Sequence, residues 1–400
     1  MILDKIGSKE AWEQFLQYKL EHQHLRREEE NAIREFIENE SYLSIYNAIK
    51  EGRFPEEYPV KRLVNKEGVN KKRSVYSFSE ETSIAMKFIA HYLYCYDDVF
   101  APNCYAFRRD YGVNQAMRCI TRQPSYQKKF CLKMDIHNYF NSIDVNILMD
   151  KLSFVKTDDP KLYQVLERVL LRPQVWENGT LIEENHGAMA GTPMSPFLAN
   201  LYLSELDWLF YKEGTNYFRY SDDILVFADN LQKLQEYKAK LEAFFDSYYL
   251  EINPEKEKIS KPGEVWEFLG FAYIDGRLDL SDNTKRKIKA KIKRKANALR
   301  RWQRKKQLSP EKAAIGFIRA MNGKFYGREN HEDFTWNRWF FPNLTVDAGL
   351  KEIDLYMQKY IRYTVTGRHY KGNYRISYEQ LKKWGYRSLV HEYYLYKKEK

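Results

Sequence analysis

Residues 218–228 read FRYSDDILVFA, two adjacent aspartates between two apolar runs at the point where a β-hairpin should turn. Tyr217, Phe218 and Tyr220 lead in, and Ile224, Leu225, Val226 and Phe227 lead out, all residue types that favour strands. Two other adjacent pairs occur, Asp97-Asp98 and Asp158-Asp159. The first runs into Val99-Phe100-Ala101-Pro102 and the second precedes Pro160, so neither sits between matched strand signals. Only Asp222 and Asp223 are expected at a hairpin tip.

Adjacent carboxylates on a hairpin suit a divalent ion such as Mg²⁺, which is bound by oxygen and offsets their repulsion. A solvated turn is the plainer alternative. A two-metal site needs a further carboxylate from another strand. KKFCLKMDIHNYFNSID supplies one, an apolar strand ending at Asp135 and running through Asn138, Tyr139, Phe140 and Asn141 into a turn or helix. Asp135 could equally be a helix N-cap. In GAMAGTPMSPFLANLYLSELDWLF, residues 187–210, two glycines and two prolines lead into the helical pattern Phe197, Leu198, Leu201, Leu206 and Leu209. Such a loop offers backbone N–H groups to a phosphate or a base pair, or is simply a loop–helix junction.

The rest of the chain is α+β rather than regularly alternating. Residues 8 to about 50 read as helices, with Trp12, Phe15, Leu16 and Leu20 on one face. KKRSVYSF and KKFCLKMDI read as strands, SIAMKFIAHYLYCY and LQKLQEYKAKLEAFFDSYY as helices. Four hundred residues predict two or three lobes. Cys95, Cys104, Cys119 and Cys131 show no CxxC spacing, which argues against a zinc site or a disulfide framework. With no signal-like start and no apolar run near ~20 residues, a soluble cytoplasmic protein without membrane contact is expected.

Charge is unevenly placed. Residues 281–400 hold 30 Lys and Arg against 11 Asp and Glu, a net of +19, while the whole chain is +11. A basic last third on an acidic body is the asymmetry of a nucleic-acid binder. From 285 to 306, thirteen of twenty-two residues are basic and none is acidic. Ile288, Ile292, Ala296, Leu299 and Trp302 line one face of a helix there. Without acids for i,i+4 pairing such a helix repels itself, which points to an anionic partner rather than a merely solvated face. The tyrosine-rich YKGNYRISYEQLKKWGYRSLV suits phosphate pairing and base stacking.

The order of these pieces resembles that of the reverse transcriptases, over roughly residues 60–275. VNKKRSVYSF resembles their basic fingers hairpin, CYAFRRDYG a further fingers segment, MDIHNYFNSID motif A, GAMAGTPMSPFLAN motif B and YSDD motif C. LEINPEKEKI resembles the following lysine-bearing turn and VWEFLGFAY the primer-grip hairpin. The resemblance implies a right-hand polymerase fold: an N-terminal helical extension over 1–55, fingers and palm over 56–280, and a basic helical thumb with an RNA-binding region over 281–400. It makes Asp135, Asp222 and Asp223 catalytic ligands of two Mg²⁺ ions, with Mn²⁺ a substitute. Lys72, Arg73, Ala190, Gly191 and Lys256 become nucleotide-binding, and Phe140 becomes the aromatic gate that excludes a 2′-hydroxyl. Arg108, Lys289, Lys293 and Arg300 are the expected nucleic-acid contacts.

One departure stands out. Where the family carries Pro-Gln-Gly, this chain has Met189-Ala190-Gly191, and alanine cannot hydrogen-bond an incoming nucleotide. With the compact length and the ending GYRSLVHEYY, the chain resembles most closely the bacterial defence-associated reverse transcriptases. The expected activity is RNA-directed DNA synthesis from dNTPs on a dedicated structured non-coding RNA, in antiviral defence. The alternatives are a group II intron-like or retron-type enzyme, a template-independent DNA polymerase, and an RNA-binding scaffold with a vestigial site.

Overall fold

The computed structural model describes residues 1–22, 25–65, 72–327 and 335–399. The chain divides into two compact units, Met1–Pro262 and Gly263–Lys400. Eleven strands form among the described residues: β1 Val60–Asn65, β2 Lys72–Ser77, β3 Phe130–Asp135, β4 Gln174–Glu177, β5 Thr180–Glu183, β6 Asn216–Tyr220, β7 Asp223–Ala228, β8 Lys258–Ser260, β9 Trp266–Phe268, β10 Phe271–Ile274 and β11 Arg277–Leu280. Helices make up most of the remainder, so the class is α+β as expected.

The first unit is organised by the antiparallel sheet β6-β7-β3-β8. β3 and β7 are its middle strands. Cys131, Leu132 and Met134 on β3, and every residue from Ile224 to Ala228 on β7, are buried, as a strand covered on both faces requires. The helix Leu231–Ser247 packs on β3 and β7 and buries Leu234, Leu241 and Phe245. Tyr220 pairs with Asp223, so the β6–β7 connection is the two-residue turn Ser221-Asp222, and Ser221 adopts the positive φ, 61°, that such turns demand.

A second sheet in this unit has the order β2-β1-β4-β5. β1 and β2 pair antiparallel from Val60↔Ser77 to Asn65↔Lys72, and β4 joins β1 in parallel at Val60↔Trp176. Val69–Lys71 of the expected basic hairpin lie outside the described residues.

The N-terminal helices pack onto the rest of the first unit. Trp12 stacks on Phe88 of the helix Glu80–Leu93 with ring centroids 3.9 Å apart, and Ile2 N donates to Asp159. Their apolar face thus merges with the core of the same unit. Trp12, Phe15 and Leu16 are buried, whereas Leu20, near the end of its helix, is exposed.

In the second unit β9, β10 and β11 form an antiparallel sheet. The boundary between the two units falls at 262/263, because this small sheet shares its core with the C-terminal helices. Phe271 lies 5.1 Å from Phe340 between ring centroids, and Asp279 accepts from the amide of Gly349. The helix Asp282–Lys305 buries Ile288, Ile292 and Ala296. It packs with the helices Pro310–Tyr326 and Ala348–Thr366. Trp302 departs from the expected buried face and is 44% exposed.

Candidate active site

The central sheet brings three aspartates to one end. Asp135 is the last residue of β3 and the Cα partner of Asp223, the first of β7. Ile136 N donates to the Asp222 carbonyl at 3.2 Å, so the ladder carries the turn onto the end of β3. Asp135 is therefore a strand-end residue and not an N-cap. The helix that follows, Tyr139–Ser142, has Asn138 in that position.

The electrostatics follow from this crowding. Burial, then the neighbouring Asp223 and Asp135 carboxylates, push Asp222 up to about 6. Asp135 is buried, with Lys256 Nζ 2.5 Å from its Oδ2 and Asn253 Nδ2 3.3 Å from its Oδ1. Burial works against the Lys256 ammonium, but pairing with Asp135 and the nearby Asp222 and Asp223 outweighs it and raises its pKa above the usual lysine value. Lys133 Nζ stands 3.9 Å from Asp223 Oδ1.

The donor set is all carboxylate oxygen, which fits Mg²⁺ or Mn²⁺ and not a soft metal. Among the described residues no three Asp, Glu, His or Cys side chains form a finished ligand cage, and the Asp135 carboxylate is directed to Lys256.

The 187–191 loop ties the neighbouring pieces together. Ala188 N donates to the Phe140 carbonyl at 2.8 Å, and a Cβ on Gly187 would fall 2.4 Å from that oxygen, so only glycine fits. On the other side, Tyr76 N of β2 donates to the Ala190 carbonyl at 2.8 Å. Gly191 has φ 103°, and an added Cβ there would lie 3.1 Å from the Tyr76 carbonyl. Phe140 is half-buried, its ring 6.1 Å from that of Phe107. Lys72 and Arg73 are exposed at the start of β2.

Four of the expected nucleic-acid contacts divide unequally. Arg108 is almost wholly buried, paired with Asp97 at 2.7 Å and stacked over Tyr111 at 3.8 Å. Lys289 is paired with Glu352 and lies 5.4 Å from the Tyr356 ring centroid. Arg300 donates to the Gly367 carbonyl at 3.0 Å and lies over Tyr363 at 4.8 Å. These three cations already have intrachain partners, whereas Lys293 is exposed.

Residues missed from sequence stand directly behind the carboxylates. Arg219 on β6 and Asp207 are both fully buried and form an ion pair, joined by Asn200. A signal was available: Tyr217, Arg219 and Ser221 alternate onto one face of the strand, so an arginine there needs a buried partner.

Among the described residues no helix is long and apolar enough to cross a membrane. The family model "Reverse transcriptase (RNA-dependent DNA polymerase)" matches residues 64–273, just over half of the 400. The retron Ec86 reverse transcriptase of Escherichia coli is 25% identical over 173 residues, 42% of this chain and 50% of that protein. The chain thus spans about half the length of this curated relative. Among solved structures, apo telomerase from Candida tropicalis, truncated from its C-terminal domain, is similar with a TM-score of 0.42 and 13% identity, covering 56% of this chain and 55% of that one. Telomerase from Candida albicans, in complex with a fragment of telomeric RNA, gives a TM-score of 0.46 and 12% identity over 86% and 67%. On the extent of the family match, and with paired aspartates at the tip of its central sheet, the chain belongs to the reverse transcriptase family and has a right-hand polymerase fold.

Proposed function

We propose that the protein is an RNA-directed DNA polymerase whose Asp135, Asp222 and Asp223 hold two divalent ions. The single observation that carries this reading is the Asp135↔Asp223 register, which gathers three carboxylates at one strand end. Bound there, the ions would supply a lowered pKa for the attacking hydroxyl and positive charge opposite the leaving pyrophosphate. The chain's own residues do the rest. Lys256 lies beside the same carboxylates and can neutralise a departing phosphate. Lys72 and Arg73 offer exposed positive charge to the triphosphate. The Phe140 ring, its backbone tied to the 187–191 loop, would close against the sugar and exclude a 2′-hydroxyl.

The retron relative favours a retron-type bacterial enzyme over a group II intron-like one. The template would be a dedicated structured RNA, the product DNA, and the setting antiviral defence. Purified protein should incorporate dNTPs on a primed RNA template with Mg²⁺. Sequencing the RNA and DNA that co-purify would identify template and product. No incorporation with Mg²⁺ or Mn²⁺, on any co-purifying RNA, would leave the scaffold reading.

A further inference from the structure

We propose that Arg219, locked to Asp207 beneath the β6–β7 turn, is a positioning residue that orients Asp222 through the Ser221 carbonyl. The inference rests on the polymerase reading for its kinetic consequence but not for its structural one.

The guanidinium is fully engaged. Nε donates to Asp207 Oδ1 at 2.8 Å, and Nη2 donates to Asp207 Oδ2, to Cys104 Sγ at 3.2 Å and to the Asn200 carbonyl at 3.3 Å. Nη1 reaches Asn200 Oδ1 at 3.3 Å and the Ser221 carbonyl at 3.1 Å. The backbone from which it projects is pinned on both sides. Arg219 N donates to the Asn103 carbonyl at 3.0 Å, and Tyr105 N donates to the Arg219 carbonyl at 2.9 Å. Asp207 accepts in addition from the Tyr217 hydroxyl at 2.9 Å. A fork held at this many points has one position available to it.

What it holds is the weak point of the hairpin. Ser221 is a non-glycine residue at φ 61°, a conformation that costs an L-residue free energy and persists only when its surroundings enforce it. Its carbonyl belongs to the peptide that leads into Asp222, so the hydrogen bond from Nη1 fixes the plane from which the Asp222 side chain departs.

The competing explanation is that the pair merely fills the core. Buried ion pairs are poor core material, because desolvation cancels much of their attraction and apolar residues of similar volume often do as well or better. An apolar pair could replace Arg219 and Asp207 as filling. It could not donate to the Ser221 carbonyl. Asn200 and Asp207 also sit on the helices Ser195–Tyr202 and Ser204–Lys212, directly after the 187–194 loop. The same fork therefore joins the backbone following that loop to the carboxylate turn.

The experiment replaces the pair with apolar residues, Arg219→Met with Asp207→Leu, and repeats it with Ser221→Gly added. Four quantities are read in the full chain: melting temperature, kcat and KM for dNTP, Mn²⁺ binding by electron paramagnetic resonance, and hydrogen exchange over residues 216–228. The expected result is a folded protein whose kcat falls about 100-fold while KM stays within about twofold, as small misplacements of a reacting group do. Mn²⁺ binding weakens, and faster exchange is confined to residues 220–223. Ser221→Gly restores about tenfold of kcat, because glycine holds a positive φ without help. Unchanged kcat and Mn²⁺ binding would overturn the proposal, and so would a loss that Ser221→Gly leaves untouched. If the double variant does not fold, Arg219→Lys, which keeps the charge beside Asp207, must give the same pattern. Failure of both to fold would assign the pair a structural role only and also overturn it. If the wild-type chain makes no DNA, the polymerase reading falls, while Mn²⁺ binding and exchange still decide the role of Arg219.

Discussion

Lys256 Nζ lies 2.5 Å from Asp135 Oδ2, so the carboxylate ending β3 already has a cation supplied by the chain. A divalent ion held at the proposed site would have to share or displace it. Lys256→Ala should therefore tighten Mn²⁺ binding, roughly several-fold given a unit charge within about 4 Å at a partly screened site. It should also slow nucleotide incorporation if the ammonium meets the pyrophosphate. Titration by electron paramagnetic resonance measures the first effect and single-turnover kinetics the second. Binding no tighter than wild type would mean that the ion pair does not guard the site.

The crowding of Asp222 and Asp223 against Asp135 predicts opposite effects on activity and on stability. Asp222→Asn with Asp223→Asn should reduce DNA synthesis about 1,000-fold or more, since ligands that place charge opposite the transition state are lost. The metal-free protein should melt no lower than wild type, because like-charge repulsion is relieved. Comparable incorporation rates in the two proteins would remove these residues from the chemistry.

Asp222 also gives the site a pH signature. Its pKa is raised to about 6 from the ordinary 3.8, so the folded state holds the proton more tightly than the unfolded chain does. That contribution to stability is complete below 3.8 and is lost as pH rises through about 6. Metal-free protein should lose melting temperature between pH 5 and 7 by this route, and Asp222→Asn should flatten the fall. If Mg²⁺ is held there as proposed, it takes the ionised form, so its stabilising effect should be small at pH 5 and larger at pH 7.5. Melting curves at both pH values, with and without Mg²⁺, measure this. An equal Mg²⁺ effect at the two would contradict the link.

Phe140 stands one residue beyond Tyr139, whose hydroxyl donates to the Ala199 carbonyl and anchors the turn. The Phe140 ring itself is only half-buried, so removing it should perturb selectivity more than folding. Phe140→Ala should raise ribonucleotide incorporation relative to deoxyribonucleotide by about tenfold or more, the value of one well-placed steric contact. Steady-state kcat/KM ratios for the two nucleotides on one primed template decide it, and an unchanged ratio would return Phe140 to the core.

The elements that were legible in the sequence share a local cause. β7 announced itself because a strand buried on both faces needs an unbroken apolar run, Ile224 to Ala228, which Asp223 begins; β3 is apolar apart from Lys133 and ends at Asp135. Strand alternation signals that Arg219 needs a buried partner, but not that the partner is Asp207, since a residue twelve positions away on a helix is chosen by tertiary packing and not by periodicity. The same holds for Arg108, which reads as a surface cation and is stacked on Tyr111. The 262/263 boundary was hidden because β9–β11 look like a continuation of the sheets before them, and it takes tertiary contacts such as Phe271–Phe340 and Asp279–Gly349 to assign them to the second unit.

The helix Asp282–Lys305 separates its cations into two sets, and the separation can be measured. Lys289 and Arg300 face their own unit, on Glu352 and on Gly367 with Tyr363. Lys287, Arg294 and Arg301 are exposed at intervals of seven residues, which keeps them on one stripe of the helix, with exposed Lys293 beside it. If RNA lies along that stripe, each phosphate neutralised releases condensed counterions. Replacing Lys287, Arg294 and Arg301 with glutamine should weaken RNA binding and flatten its salt dependence by roughly 0.7 to 0.9 per lost contact, or about two units for three. Their exposure means that the melting temperature should hold. Lys289→Gln with Arg300→Gln should do the reverse, lowering the melting temperature by a few degrees while the slope changes little, because these side chains serve the packing of the helix Ala348–Thr366 and the turn that follows it. Binding isotherms at four salt concentrations with calorimetry on both variants give the answer. A salt slope that falls only with the inward pair would mean that RNA pulls Lys289 and Arg300 away from their protein partners, and the outer stripe would then be a solvated face.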